Sequence, residues 1–181
     1  MEDLLASEVT RVNVKLTISK MWVELACIFC TFMITFMMYP SIVFLKSKDI
    51  YPKREDWSIF IINVGQGLGD FMGRSLAKLK DSQSRPFLVI GTSLRLVFIA
   101  TSFIIALTES SFWNHPATVI INVFLLGLTS GFIATSACNT IPGKLENHEK
   151  EFGGLAMSVM INGGIAIGSL ISLLGFSKIG K

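Results

Sequence analysis

Charged residues are scarce in this sequence, because Asp, Glu, Lys and Arg together make up only 16% of its 181 residues. A soluble domain of ordinary composition carries about 25% charged residues. The charges occur in short clusters, and between the clusters lie five apolar stretches of about 20 residues each, the length that crosses the roughly 30 Å hydrocarbon core of a bilayer as a helix. This distribution excludes an ordinary soluble domain and predicts an all-α integral membrane protein.

Residues that bind metals or act as nucleophiles are also few, with three Cys and two His in the whole chain. Cys27 and Cys30 have C-x-x-C spacing, but no neighbouring Cys or His completes a set of metal ligands. These two thiols and Cys138 fall inside apolar stretches and are interpreted as inert. No pattern of catalytic groups is recognisable, so we expect neither an enzyme nor a metal or cofactor site. The net charge of +3 is too small to indicate a nucleic-acid partner.

The apolar stretches predict about five transmembrane spans, at residues 21–45, 57–77, 86–107, 117–139 and 152–176. Residues 1–20 are expected to form a juxtamembrane tail, and residues 177–181 a short tail on the opposite side. Eight Lys and Arg residues flank the spans on the side of the N-terminal tail and six on the other. Because cytoplasmic loops carry the excess of Lys and Arg, we expect a cytoplasmic N-terminus, an extracellular C-terminus and a plasma-membrane location.

The second span contains polar residues that an ordinary membrane anchor lacks: Asn63, Gln66, Asp70 and Arg74. Ionisable groups within the hydrocarbon are costly, and they face the protein interior or a water-filled cavity. Asp70 and Arg74 are four residues apart, so they lie on one face of a helix. Asn63 and Gln66 extend this face into a polar stripe. The stripe predicts a role in or beside a permeation pathway.

Two further charges lie in predicted spans. Arg95 is in the third span, at a depth from which it could pair with Asp70 as readily as Arg74 does. We expect Arg95 to belong to an internal ion-pair cluster that fixes helix packing, and the alternative is a role in or beside the permeation pathway. Glu24 is near the start of the first span, and we expect its side chain to extend to the membrane surface.

Glycines recur at a spacing of four, which lets neighbouring helices approach closely. In the second span they form a ridge on another side from the polar stripe, and the fourth and fifth spans contain similar pairs. The glycines assigned to packing are Gly65, Gly69, Gly73, Gly127, Gly131, Gly164 and Gly168. Pro40 interrupts the first span and is expected to kink it.

The second span also carries a recognisable motif. The segment Asp70-Phe-Met-Gly73-Arg74 resembles the signature of the eighth helix of equilibrative nucleoside transporters. In the first span, Thr35-Phe-Met-Met-Tyr39-Pro40 resembles the seventh helix of that family, with Tyr39 where Phe is usual.

The three remaining spans follow the same family in order. The third, with Arg95, resembles the ninth helix, and the fourth resembles the tenth, with Ser130 where the family usually has Asn. Glu149 and Glu151, followed by two glycines, resemble the start of the eleventh. The agreement extends over residues 22–176.

This resemblance implies a fold related to the major facilitator superfamily, of which the chain would be the C-terminal half, helices seven to eleven. It implies transport of nucleosides, and in some members nucleobases, by alternating access. It places Asp70 and Arg74 at the ribose, with Asn63, Gln66 and Tyr39 as further substrate-binding candidates. Gly67 stands where the family often has Asn.

The implied partners are the nucleoside substrate, the lipid bilayer, and either an N-terminal half of six helices or a second copy of the chain. Two other functions remain open on the sequence. One is transport of another polar solute, such as a sugar or an organic cation, on a similar fold. The other is a truncated five-helix fragment that transports nothing and acts by associating with other membrane proteins.

Overall fold

The computed structural model of the chain describes residues 13–50, 54–78, 84–108, 112–113 and 115–176. Within these residues, six α-helices follow one another: α1 (Val14–Ile50), α2 (Glu55–Ala77), α3 (Arg85–Leu94), α4 (Leu96–Leu107), α5 (Pro116–Thr140) and α6 (Lys150–Phe176). Two short 3₁₀ helices, Pro142–Lys144 and Asn147–Glu149, connect α5 to α6. The described residues include no strand, and the prediction of an all-α chain is confirmed.

Four stretches are long and apolar enough to cross a membrane: Val14–Tyr39, Arg85–Ile105, Pro116–Lys144 and Asn147–Gly175. The helix α2 is not one of them, although its 23 residues provide sufficient length. Its polar stripe lowers the mean hydropathy below that of the other helices. The apolar stretches confirm an integral membrane protein, and α2 is its most polar long helix.

The helix boundaries differ from the predicted spans in two places. The first helix begins at Val14, within the segment expected to be a tail. The third span is divided at Arg95, where backbone hydrogen bonds join residues three apart: the Arg95 amide donates to Thr92 O at 3.2 Å, and the Phe98 amide donates to Arg95 O at 3.0 Å. This local 3₁₀ geometry separates α3 from α4. Residues 1–12 and 177–181 lie outside the described residues.

The helix assignment of α1 continues through Pro40 to Ile50. The kink expected at Pro40 stays a prediction.

Glycines bring the backbones of α2 and α5 into contact. A Cβ atom added at Gly69 would lie 2.9 Å from Leu128 N, and one added at Gly73 would lie 2.7 Å from Phe132 N. In the other direction, a Cβ atom at Gly131 would lie 3.0 Å from Arg74 N. The predicted ridge therefore packs against α5, except that Gly65 has room for a methyl group at 3.7 Å from Ile120.

The helices α1 and α6 form a second close pair. A Cβ atom at Gly164 would lie 2.6 Å from Phe29 O, and one at Gly168 would lie 3.1 Å from the Met33 carbonyl carbon. Between the two pairs lies a core of buried side chains from α1 and α5, including Leu25, Ile28, Ala134 and Ala137. Two pairs of helices with their backbones in contact, α2–α5 and α1–α6, are thus packed together through this core.

Candidate functional site

Asp70 and Arg74 form an ion pair on α2. Arg74 Nε donates to Asp70 Oδ2 at 2.6 Å, and Arg74 Nη2 lies 3.4 Å from Asp70 Oδ1. The Asp70 side chain is 25% exposed and the Arg74 side chain is 48% exposed. Gly69 and Gly73, which contact α5, each come one residue before a member of the pair, so the two side chains project to one side of that contact and stay partly exposed. It presents both a carboxylate and a guanidinium on an open face of the bundle.

Tyr39 and Asn63 join α1 to α2 about two helical turns from this pair. The Tyr39 hydroxyl donates to Asn63 Oδ1, and Asn63 Nδ2 donates to Ile59 O at 2.7 Å. These two predicted site residues therefore contact each other across two helices. Gln66 is half-buried on the same helix. Gly67, where the family often has Asn, has no atom within 4 Å of an added Cβ and faces open space.

Arg95 is buried and hydrogen-bonded instead of paired with Asp70. Its side chain is 1% exposed, and no described carboxylate lies within ion-pair distance of it. Its donors go to Thr35 Oγ1 at 2.6 Å and Thr129 Oγ1 at 2.7 Å. Of the two pairings that the sequence left open for Asp70, the structure contains the one with Arg74.

Glu24 corrects one expectation, because its side chain is fully buried and does not extend to the membrane surface. Arg85 Nε lies 3.2 Å from Glu24 Oε1, and Lys144 forms an ion pair with the same oxygen. Because two cations from α3 and the α5–α6 connection reach this carboxylate, it is compensated inside the bundle. Pairing between residues so far apart cannot be read from a single sequence.

Glu149 is a second buried carboxylate. The sequence placed it in a family motif, but no contact was predicted for it. It accepts hydrogen bonds from Thr17 Oγ1 at 2.8 Å and from Lys20 Nζ at 2.8 Å. The α5–α6 connection is thereby attached to the start of α1. Both buried carboxylates lie at this end of the bundle, away from Tyr39 and Asn63.

Metal-binding groups do not gather anywhere in the part of the chain that the structure describes. Cys27, Cys30 and Cys138 are free thiols. The chemistry of the site is therefore that of hydrogen bonding and charge, and it suits recognition of a polar solute.

These features define a multi-pass, all-helical membrane protein with a polar site on one helix. The family model for the nucleoside transporter family matches residues 4–175. The chain belongs to that family, and the resemblance noted in its motifs is confirmed.

Individual relatives agree with this assignment. The chain is 27% identical over 158 residues to equilibrative nucleoside transporter 4 of Homo sapiens, covering 86% of this chain and 29% of the relative. It is 29% identical over 170 residues to nucleoside transporter 2 of Leishmania donovani, covering 92% and 32%. It is 29% identical over 159 residues to nucleoside transporter FUN26 of Saccharomyces cerevisiae, covering 80% and 31%. The matched region thus spans about a third of each relative's length, and no solved structure matches the chain.

Proposed function

We propose that this chain forms one wall of a nucleoside pathway and acts as part of a transporter and not as an enzyme. Asp70 and Arg74 bind the sugar of the substrate, and Tyr39, Asn63 and Gln66 supply further polar contacts. Nucleosides are the substrate class, with nucleobases as a second group to test. The observation that carries the proposal is the partly exposed Asp70–Arg74 pair within a chain of apolar helices.

The chemistry of the pair suits a ribose. A carboxylate accepts hydrogen bonds from two vicinal hydroxyl groups, and a guanidinium has donors for the ring and hydroxyl oxygens. A hydroxyl left unpaired in a partly dry cavity costs about 1–3 kcal/mol. The pair therefore favours sugars with both hydroxyls over sugars that lack one.

The pathway needs a second wall, because an open polar stripe is costly in lipid. The proposed arrangement sets this chain against an N-terminal half of six helices or against a second copy of itself, with transport by alternating access of the two walls. The proposed location is the plasma membrane, with residues 1–20 cytoplasmic and residues 177–181 extracellular.

Uptake of labelled uridine and adenosine by cells without endogenous nucleoside transport tests the proposal. We expect Asp70→Asn to reduce uptake at least about tenfold, because removing a hydrogen-bonded charge from a binding site costs roughly 1.5–3 kcal/mol. The matched control is Asp56→Asn, the same change on the exposed first turn of α2, which should leave uptake unchanged.

Other outcomes separate the alternatives. Competition by hexoses or organic cations, without competition by nucleosides, would indicate a transporter of another solute. Surface-localised protein with no uptake of any of these solutes, and no effect of Asp70→Asn, would indicate a fragment that acts only by association.

A further inference from the structure

Arg95 connects the two helix pairs of the bundle. The pair α2–α5 and the pair α1–α6 are each held by glycine contacts between backbones. Arg95, at the junction of α3 and α4, reaches across to both pairs: its Nη2 contacts Thr35 on α1, and its Nη1 contacts Thr129 on α5. One planar guanidinium thus has a hydrogen bond on each pair.

The two threonine hydroxyls that Arg95 contacts form similar hydrogen bonds to their own helices. The Thr35 hydroxyl donates to Thr31 O on its own helix at 2.8 Å, accepts from Arg95, and lies 3.0 Å from the Ser130 hydroxyl on α5. The Thr129 hydroxyl donates to Leu125 O at 2.9 Å and accepts from Arg95. A threonine hydroxyl has one donor and two acceptor sites, so both roles are satisfied at once. Each of the two threonine positions therefore requires a hydroxyl group as well as a side chain of the size of threonine.

Stability alone does not account for this residue. A cation within the hydrocarbon costs several kcal/mol, and Arg95 has only neutral partners among the described residues. Buried ionic groups are weak evidence for stability, because a buried ion pair can often be replaced by well-packed apolar side chains without loss. An apolar side chain or a lysine would not provide the planar, fixed arrangement of donors that the guanidinium has.

The segment of α5 that Arg95 contacts lies directly behind the candidate site. Gly127 and Gly131 flank Thr129, and their added Cβ atoms would lie 3.1 Å from Asp70 N and 2.9 Å from the Asp70 carbonyl carbon. On α1, Thr35 precedes Tyr39 by one turn. Arg95 and the direct contact of Thr35 with Ser130 both join α1 to α5, so the position of α1 that they fix is also the position of Tyr39 relative to α2.

We propose that Arg95 is a positioning residue for the nucleoside site: by joining Thr35 to Thr129, it holds α1 against the α2–α5 pair and keeps Tyr39 in contact with Asn63. Arg95 does not touch the substrate in this role. The inference rests on the proposed function only for the identity of the ligand, because the positioning itself is a property of the helices.

Cross-linking measures the positioning without transport. Cysteines replace Tyr39 and Asn63 in a full-length chain whose native cysteines are changed to serine, and a short bifunctional thiol reagent joins them in membranes. We expect Thr129→Val and Arg95→Gln to slow cross-linking on the order of tenfold, within the range for mutations along a coupled network. Thr129→Ser, which keeps the hydroxyl, should restore the rate.

Arg95→Lys separates charge from geometry. A single ammonium nitrogen on a flexible stem does not reproduce the fork between Thr35 and Thr129, so we expect it to fail like Arg95→Gln. If Arg95→Lys behaves like the parent chain, or if Thr129→Val leaves cross-linking unchanged, the positioning role is rejected. If the Arg95→Gln variant does not accumulate in membranes, the cross-linking rate of Thr129→Val decides whether Arg95 has the positioning role.

Uptake gives the functional side of the same test. In the chain with Tyr39 and Asn63 intact, Thr129→Val should raise the KM for uridine on the order of tenfold, with Thr129→Ser near the parent value. A parent chain that takes up no nucleoside would reject the proposed function and leave the cross-linking result to stand or fall separately.

Discussion

Asp70 and Glu24 are both acidic residues among apolar helices, but they are compensated differently. Asp70 has one cationic partner on its own helix and stays partly exposed. Glu24 has two partners from other parts of the chain and is fully buried. The first arrangement leaves a carboxylate able to exchange partners with a solute, and the second fixes helices in place.

Glu24→Gln should destabilise the bundle, because it leaves the Arg85 and Lys144 cations without their carboxylate. Both cations are partly exposed, so water compensates some of the loss, and we expect about 1–3 kcal/mol. Thermal unfolding of the purified protein in detergent measures the change. Glu151→Gln, at an exposed position on the first turn of α6, is the matched control, and equal melting temperatures for the two variants would contradict the assignment.

The sequence limited the partners of Asp70 to two, Arg74 one turn along the same helix and Arg95 on the next span, and the structure contains the pair with Arg74. The sequence was not sufficient for Glu24, whose partners Arg85 and Lys144 come from distant segments. Local spacing determines the first pair, whereas the second depends on how the helices pack.

At the scale of the helix, α2 separates packing from recognition on different sides. Gly69 and Gly73 contact the backbone of α5, and the side chains of the residues that follow them, Asp70 and Arg74, stay partly exposed. The spacing of four predicted both faces. The division of the third span at Arg95 was not predicted, because its apolar sequence continues across the junction and the break lies in backbone hydrogen bonds.

Gly69→Ala should disrupt the contact of α2 with α5, because the new methyl group would meet backbone atoms of α5 that cannot rotate away. Overpacking of this kind costs about 3 kcal/mol, seen as a lower melting temperature in detergent. Gly67→Ala, two residues away with open space around it, controls for helix propensity and should be neutral or slightly stabilising. Similar losses in both variants would show that the close contact of the helices is absent.

At the scale of the whole molecule, the exposed surfaces are of two kinds, one suited to water or protein and the other to lipid. The polar stripe on α2 needs water or protein opposite it, whereas the exposed face of α4, with Leu96 and Val97, is apolar and suits lipid.

A cysteine at Asn63 should react with a charged, membrane-impermeant thiol reagent, and a cysteine at Val97 should not. The reason is that thiolates form in water and such reagents do not partition into lipid. Labelling rates in membranes, in a chain with the native cysteines replaced by serine, measure this, and uridine should slow the reaction at position 63. Equal rates at the two positions would argue against an aqueous pathway along α2.

The contact between α2 and α5 also has a genetic consequence. An added methyl group at Gly69 would collide with the main chain at Phe124 and Leu128, and every amino acid at those positions has the same main chain. Compensating substitutions at residues 124 and 128 therefore cannot relieve the collision. In a selection for restored growth on a nucleoside, revertants of Gly69→Ala should regain glycine itself instead of acquiring a partner change on α5.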